Sequence, residues 1–185
     1  MTAVDPKTTA LVLIDIQEGI VGLPLTPVTA GELAAEGKAL AEQFRAAGAP
    51  VFLVNVDWAS DFGDALIQPV DYPMSFEGSL PANFADLVPG LAKDGDILIT
   101  KHQWGAFTGT DLDLQLRRRG IKTVVIGGVS TNMGVESTAR HAYELNYAVI
   151  IARWATTGLD QGLHAVAMDK IFPLFSRVAD SIAFE

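Results

Sequence analysis

The chain has 185 residues, enough for one domain with a full core, and 49% of them are apolar against 19% charged, the balance of an ordinary globular protein. Acidic residues outnumber basic ones 22 to 13, for a net charge of -9, which argues against nucleic acid or an anionic membrane as a partner. With 0 cysteines, disulfides, thiolate metal sites and thiol nucleophiles are excluded.

The opening residues, MTAVDPKTTALVLIDIQ, lack a basic segment followed by a long apolar run, so no signal peptide is expected. No stretch reaches the roughly 18 to 20 uncharged apolar residues of a membrane span, and a cytoplasmic protein is the expectation. Residues 8–14 (TTALVLI) form a continuous apolar run of strand length, suited to a central parallel strand buried on both faces. The run closes on Asp15. A carboxylate there is costly inside the protein unless paired, which places it at the strand's C-terminal end, facing a polar cleft.

Gln17 follows in a segment with Gly19, Gly22, Pro24 and Pro27, a candidate either for lining the pocket or for hydrogen-bonding that loop. Thr29 with Glu32 three residues on has the capping-box pattern of a helix start. Gly48 ends that helix ahead of Pro50, and Leu33, Leu40 and Phe44 make its core face. VFLVNV (51–56) is the second strand, followed by Asp57 and Trp58. The irregular stretch 59–81 carries Asp61, Phe62, Asp64, Asp71, Tyr72 and Phe76, and its length and aromatics favour a lid or an oligomer contact over a plain solvent loop.

DILIT (96–100) is the third strand and delivers Lys101 to its C-terminal end. His102 next to it reads as structural. Trp104 and Phe107 are candidate walls for a flat substrate, with core packing as the alternative for each. Thr110 and Asp113 mark another helix start with Leu112 and Leu116 inward, and Arg117, Arg118 and Arg119 complement its C-terminal dipole before Gly120. Thr123 to Leu145 then reads as a buried strand (Val124, Val125, Ile126), a glycine break (Gly127, Gly128) and a helix beginning near Asn132. Its first N–H groups suit an anion or a developing oxyanion. Ser130, Thr131 and Ser137 are the nearest hydroxyls, and the motif sets no histidine beside them as a base.

AVIIA (148–152) is a fifth strand, His164 lies on the face of a last helix with Val166 and Ala167, where a satisfied histidine is favoured over a ligand, and an edge strand is expected around Arg177 and Val178. Strands alternating with helices imply a parallel sheet covered on both faces. Such sheets keep their sites at the carboxyl ends of the strands.

GGVSTNMGVESTARHAYEL resembles the signature of the isochorismatase-like hydrolases of the cysteine hydrolase superfamily: a strand, G-V-x-T, two residues, a nucleophilic cysteine, then V-x-x-T-A-x-x-A. Gly134 stands where that cysteine is expected. Asp15 in LVLIDIQ and Lys101 in ILITKHQWGAF match the other two catalytic residues. The resemblance covers nearly the whole chain in order. It implies a single domain over 1–185, a three-layer α/β/α sandwich with a six-stranded parallel sheet in the order 3-2-1-4-5-6, a homo-oligomer, and a cis peptide between Val129 and Ser130. By the same resemblance Asp15, Lys101 and Gly134 are the catalytic set, and Gln17, Trp104, Phe107, Ser130 and Thr131 are substrate-binding candidates.

The nicotinamidases, metal-dependent relatives that the chain also resembles, carry an aspartate and histidines after the second strand. Here that segment is DWASDFG, and the 3 histidines of the chain form no close pair, so no metal and no cofactor are expected. Where relatives have an aspartate after the fifth strand this chain has Trp154, which brings an aromatic near the site or an interface.

In the cysteine-bearing relatives Asp and Lys help to deprotonate the thiol that attacks a carbonyl, a route closed to a glycine. The isochorismatases proper also lack the cysteine. That likeness implies acid-catalysed hydrolysis of a small isochorismate-like vinyl ether, with Asp15 as general acid. The alternatives are a hydrolase of another small substrate in which Asp15 activates water, and a non-catalytic ligand-binding or scaffold descendant.

Overall fold

The structure, a computed structural model, describes residues 1–73 and 78–185. Phe76, expected on the lid-like stretch, lies outside the described residues. Among the described residues eight strands and five α-helices follow in order: β1 (Thr2–Val4), β2 (Thr9–Ile14), α1 (Glu18–Val21), α2 (Ala30–Ala46), β3 (Val51–Val56), β4 (Ile97–Lys101), α3 (Leu112–Arg118), β5 (Thr123–Gly128), α4 (Glu136–Glu144), β6 (Ala148–Thr156), α5 (Gln161–Val166), β7 (Arg177–Ala179) and β8 (Ile182–Phe184).

Six of these strands form one parallel sheet in the order β4-β3-β2-β5-β6-β7. Without the short N-terminal β1, that is the expected 3-2-1-4-5-6. β1 instead pairs in parallel with β8, Thr2 against Ile182, in a two-stranded sheet that joins the chain's ends. Those three-residue segments are too short to show a period in the sequence.

All six residues of β2 are buried, as a central strand covered on both sides must be. Successive side chains alternate between two cores. Val12 and Ile14 join Leu112, Leu116, Val135 and Ala139 on the face covered by α3 and α4. Leu11 and Leu13 join Leu33, Leu40 and Phe44 of α2 on the other. The capping box of α2 forms as the sequence predicts, with Glu32 N–H donating to Thr29 Oγ1 at 3.4 Å and Thr29 N–H to Glu32 Oε2 at 2.9 Å.

Two elements differ from expectation. β6 runs to Thr156, past 152, so Trp154 is a strand residue, half-buried against the core that α2 covers. The helix after β5 opens with a wide π turn over Thr131–Val135 before α4. Both changes lie where β5 and β6 converge: a Cβ on Gly127 would stand 2.7 Å from Ala155 O, so tertiary contact, which no local pattern encodes, sets the geometry.

Candidate active site

The apolar run of β2 ends at Ile14, and Asp15 turns off it at φ 53°, in the left-handed region that aspartate enters more readily than most residues. Its N–H donates to Val54 O at 2.8 Å, anchoring the turn on β3. β4, on the far side of β3, ends at Lys101. Lys101 Nζ reaches Asp15 Oδ2 at 2.8 Å and donates to Gln103 O at 3.0 Å. The two charges are 86 positions apart in sequence, and only 1% of Lys101 and 6% of Asp15 is exposed.

β5 brings the third member. Gly128 sits at φ 118°, where a Cβ would stand 2.0 Å from Ile14 O; only glycine lets β5 bend this closely over the end of β2. The Val129–Ser130 peptide that follows is cis. The π turn then presents Gly134, on which a Cβ would lie 3.3 Å from Asp15 Oδ2 and 3.1 Å from both Ile14 Cγ2 and Val129 O. The side-chain position of residue 134 therefore faces the Asp15–Lys101 pair directly. Thr138 holds the Gly134 peptide from behind, donating to Gly134 O at 2.7 Å and accepting Ala106 N–H at 3.1 Å.

Burial pushes the Asp15 carboxyl up, and the Lys101 charge and hydrogen bond pull it down; burial prevails, leaving a pKa of about 6. Asp15 Oδ1 is buried with no hydrogen-bond partner among the described residues. An orphaned oxygen costs an ionised carboxylate more than a protonated acid, so the same atom favours retention of the proton.

The other sequence candidates fall in different places. Ser130 is buried beside the cis peptide, its Oγ 3.3 Å from Asn132 Oδ1. Thr131 is wholly buried, its Oγ1 2.7 Å from His164 Nδ1. Gln17 is also fully buried. Its Nε2 donates to Val56 O and Phe84 O, each at 2.9 Å, and its Oε1 accepts Val56 N–H at 2.7 Å. These side-chain bonds go to β3 and to Phe84, not to the glycine- and proline-containing segment after Gln17. Phe107 lies in the α3/α4 core against His141 and Tyr147, whereas Trp104 is 49% exposed.

His102 Nδ1 lies 2.6 Å from Asp57 O, and Trp58 Nε1 donates to His102 O at 2.8 Å. Among the described residues no three or more His, Asp or Glu side chains converge as metal ligands. The contact that sequence reasoning missed is His164 with Thr131, which are 33 positions apart. No spacing rule links them, since α5 reaches the turn only through the packing of its own layer.

The isochorismatase domain matches residues 9–183. The uncharacterized isochorismatase family protein YecD of Escherichia coli O157:H7 is 50% identical over 179 residues, covering 96% of this chain and 95% of that protein. Ureidoacrylate amidohydrolase RutB of Methylobacterium radiotolerans is 30% identical over 207 residues, 99% of this chain and 80% of its own. Among solved structures, an isochorismatase family protein from Burkholderia thailandensis aligns at a TM-score of 0.92 and 44% identity, covering 97% of this chain and 94% of that one. With a parallel sheet in this order and a matched domain over nearly its whole length, the chain belongs to the isochorismatase family of hydrolases.

Proposed function

We propose that the protein hydrolyses a small, anionic, isochorismate-like vinyl ether by acid catalysis, with Asp15 as proton donor and with Gly134 in the place of the family's nucleophilic cysteine. The observation that carries this reading is the placement of the Asp15 carboxyl: buried beside the turn at Gly134 with Oδ1 unpartnered among the described residues, it is pushed by burial to a pKa of about 6 although a lysine ammonium lies 2.8 Å away. A group so poised gives up its proton near neutral pH, where a general acid works best. No protein nucleophile is required.

The Asp15 O–H protonates the terminal methylene of the enol ether, whose C=C electrons form the new C–H bond and leave an oxocarbenium cation. Water adds to the cationic carbon and returns a proton to the Asp15 carboxylate. The hemiketal hydroxyl then loses its proton as its C=O forms, the C–O bond to the leaving group breaks, and that oxygen takes up a proton from Asp15, releasing the alcohol and pyruvate, after which the hydroxyl proton restores the acid. Lys101 stabilises the carboxylate that exists only between proton loss and proton return, so the cation opposing protonation at rest lowers the barrier to transfer. At Gly134 an ideal Cβ would stand 3.3 Å from Asp15 Oδ2, so in this chain no nucleophilic side chain stands between the turn and the acid.

A second reading, hydrolysis of an amide-like substrate by water that ionised Asp15 activates, is favoured by the 30% identity to a ureidoacrylate amidohydrolase. The test is pyruvate release from isochorismate by the purified protein, with Asp15→Ala as control. Turnover that disappears in the variant upholds the first reading; no pyruvate above the control sinks it, and ureidoacrylate is then the substrate to assay.

A further inference from the structure

His164 takes no part in the proton transfer above, yet it is buried with Nδ1 2.7 Å from the Thr131 hydroxyl. Thr131 opens the π turn that carries Gly134. Its N–H donates to Thr157 O at 2.9 Å, and Thr157 N–H donates to Gly128 O at 3.0 Å, so the backbone ties the turn to the ends of β5 and β6. The bond to His164 extends those ties to α5, which packs against the turn and is capped by Asp160, whose Oδ1 accepts Leu163 N–H at 2.8 Å.

Thr131 is wholly buried, and a Cβ at Gly158 would lie 3.4 Å from its Oγ1, so substrate does not reach this hydroxyl and it is no nucleophile. A buried hydroxyl proton needs an acceptor. Unprotonated Nδ1 supplies one, with the ring proton on Nε2. A proton added to Nδ1 turns the acceptor into a donor and strands the Thr131 hydroxyl proton.

We propose that neutral His164 is a positioning residue: by accepting the Thr131 hydroxyl it holds the turn that sets Gly134 against Asp15, and a proton on its Nδ1 releases that turn. The surroundings favour the neutral ring. Burial holds its pKa below the usual histidine value, Arg153 of β6 adds to that, and Asp169, just past α5, opposes it. The kinetic part of the inference rests on the hydrolase reading; the structural part does not.

The deciding experiment is an NMR pH titration of the full chain, following the His164 ring and the Gly134 amide together. The Gly134 amide is expected to show an inflection at the midpoint read from the His164 ring, kept in Thr131→Ser and lost in Thr131→Val. An amide blind to that midpoint, or equally responsive in Thr131→Val, overturns the proposal. In turnover, Thr131→Val and His164→Leu should each lower kcat about tenfold with KM within about twofold, and the double variant should fall no lower than the worse single, as for residues acting as one unit. His164→Asn, whose amide oxygen accepts without titrating, should restore kcat and abolish the loss of activity on the acid side. Losses that multiply in the double variant count against it. The amide measurement needs no substrate, so a protein that releases no pyruvate sinks the function proposed above while the Gly134 titration still decides this inference.

Discussion

Lys101 Nζ lies 2.8 Å from Asp15 Oδ2, and the carboxyl it faces still keeps its proton up to about pH 6. An exposed pair at that distance would hold the acid well below its ordinary value. Here burial removes most of the solvation the anion would have, and Oδ1 has gained no hydrogen-bond partner among the described residues. Desolvation outweighs the single cation.

The pH dependence of kcat/KM follows from that balance. With protonated Asp15 as the active form, kcat/KM is flat on the acid side of about 6 as far as this group governs it, and falls tenfold per pH unit above. If ionised Asp15 were a base, the same midpoint would mark a rise with pH. A steady-state profile between pH 5 and pH 8 distinguishes the two by its direction.

Stability carries the same signature. The folded pKa of about 6 is above the ordinary 3.8, so the folded chain binds more protons than the unfolded one between those values. Asp15's contribution is therefore most favourable at low pH and is lost as pH rises through about 6. In urea denaturation at pH 4 and pH 7.5, the stability of Asp15→Asn relative to the parent should improve by about 2 kcal/mol at the higher pH. A difference that does not move with pH contradicts the burial argument.

Lys101→Met leaves desolvation of Asp15 unopposed. The midpoint of the kcat/KM profile should move above 6, and kcat should fall about 100-fold, because the carboxylate formed on proton transfer loses its partner. An unshifted midpoint means that Lys101 does not tune Asp15.

Position 134 is tightly packed. A Cβ there meets Ile14 Cγ2 and Val129 O at 3.1 Å, so Gly134→Ala should cost about 1–3 kcal/mol by overpacking and reduce turnover by displacing the turn from Asp15. Gly134→Cys introduces the single thiol of a chain with 0 cysteines. Intact-mass analysis after iodoacetamide should show one adduct, formed more slowly when Lys101 is also replaced. Full activity in Gly134→Ala would show that the placement of this turn against Asp15 does not govern turnover.

Gln17 separates two roles by which quantity moves. Gln17→Met strips partners from Val56 N–H, Val56 O and Phe84 O, and should cost about 3 kcal/mol with KM changed little. A raised KM at unchanged Tm would make Gln17 a substrate contact instead.

The amino-acid sequence by itself determined where the central strands lie. Continuous apolar runs at 8–14, 51–56 and 124–126, punctuated by Asp15, Asp57 and Gly127, state strand length and burial directly, because period and desolvation cost act along the chain. The capping box at Thr29 and Glu32 is equally local. That Asp15, Lys101 and Gly134 come together at the carboxyl end of the sheet was legible from the family motif and from the way parallel strands end on one edge.

What the tertiary structure decided is how groups far apart share one dry space. The proton balance of Asp15 depends on how completely three strands and a turn exclude water from it, which no residue spacing encodes. Gln17 and Phe107 were each open between a pocket and a structural place, and packing settled their positions: Gln17 on the backbone of β3, Phe107 in the core. The contact of His164 with Thr131 arises because α5 folds back onto the turn after β5. Hydrogen bonds between distant elements form where packing brings donors and acceptors together, so they leave no period for a sequence to show.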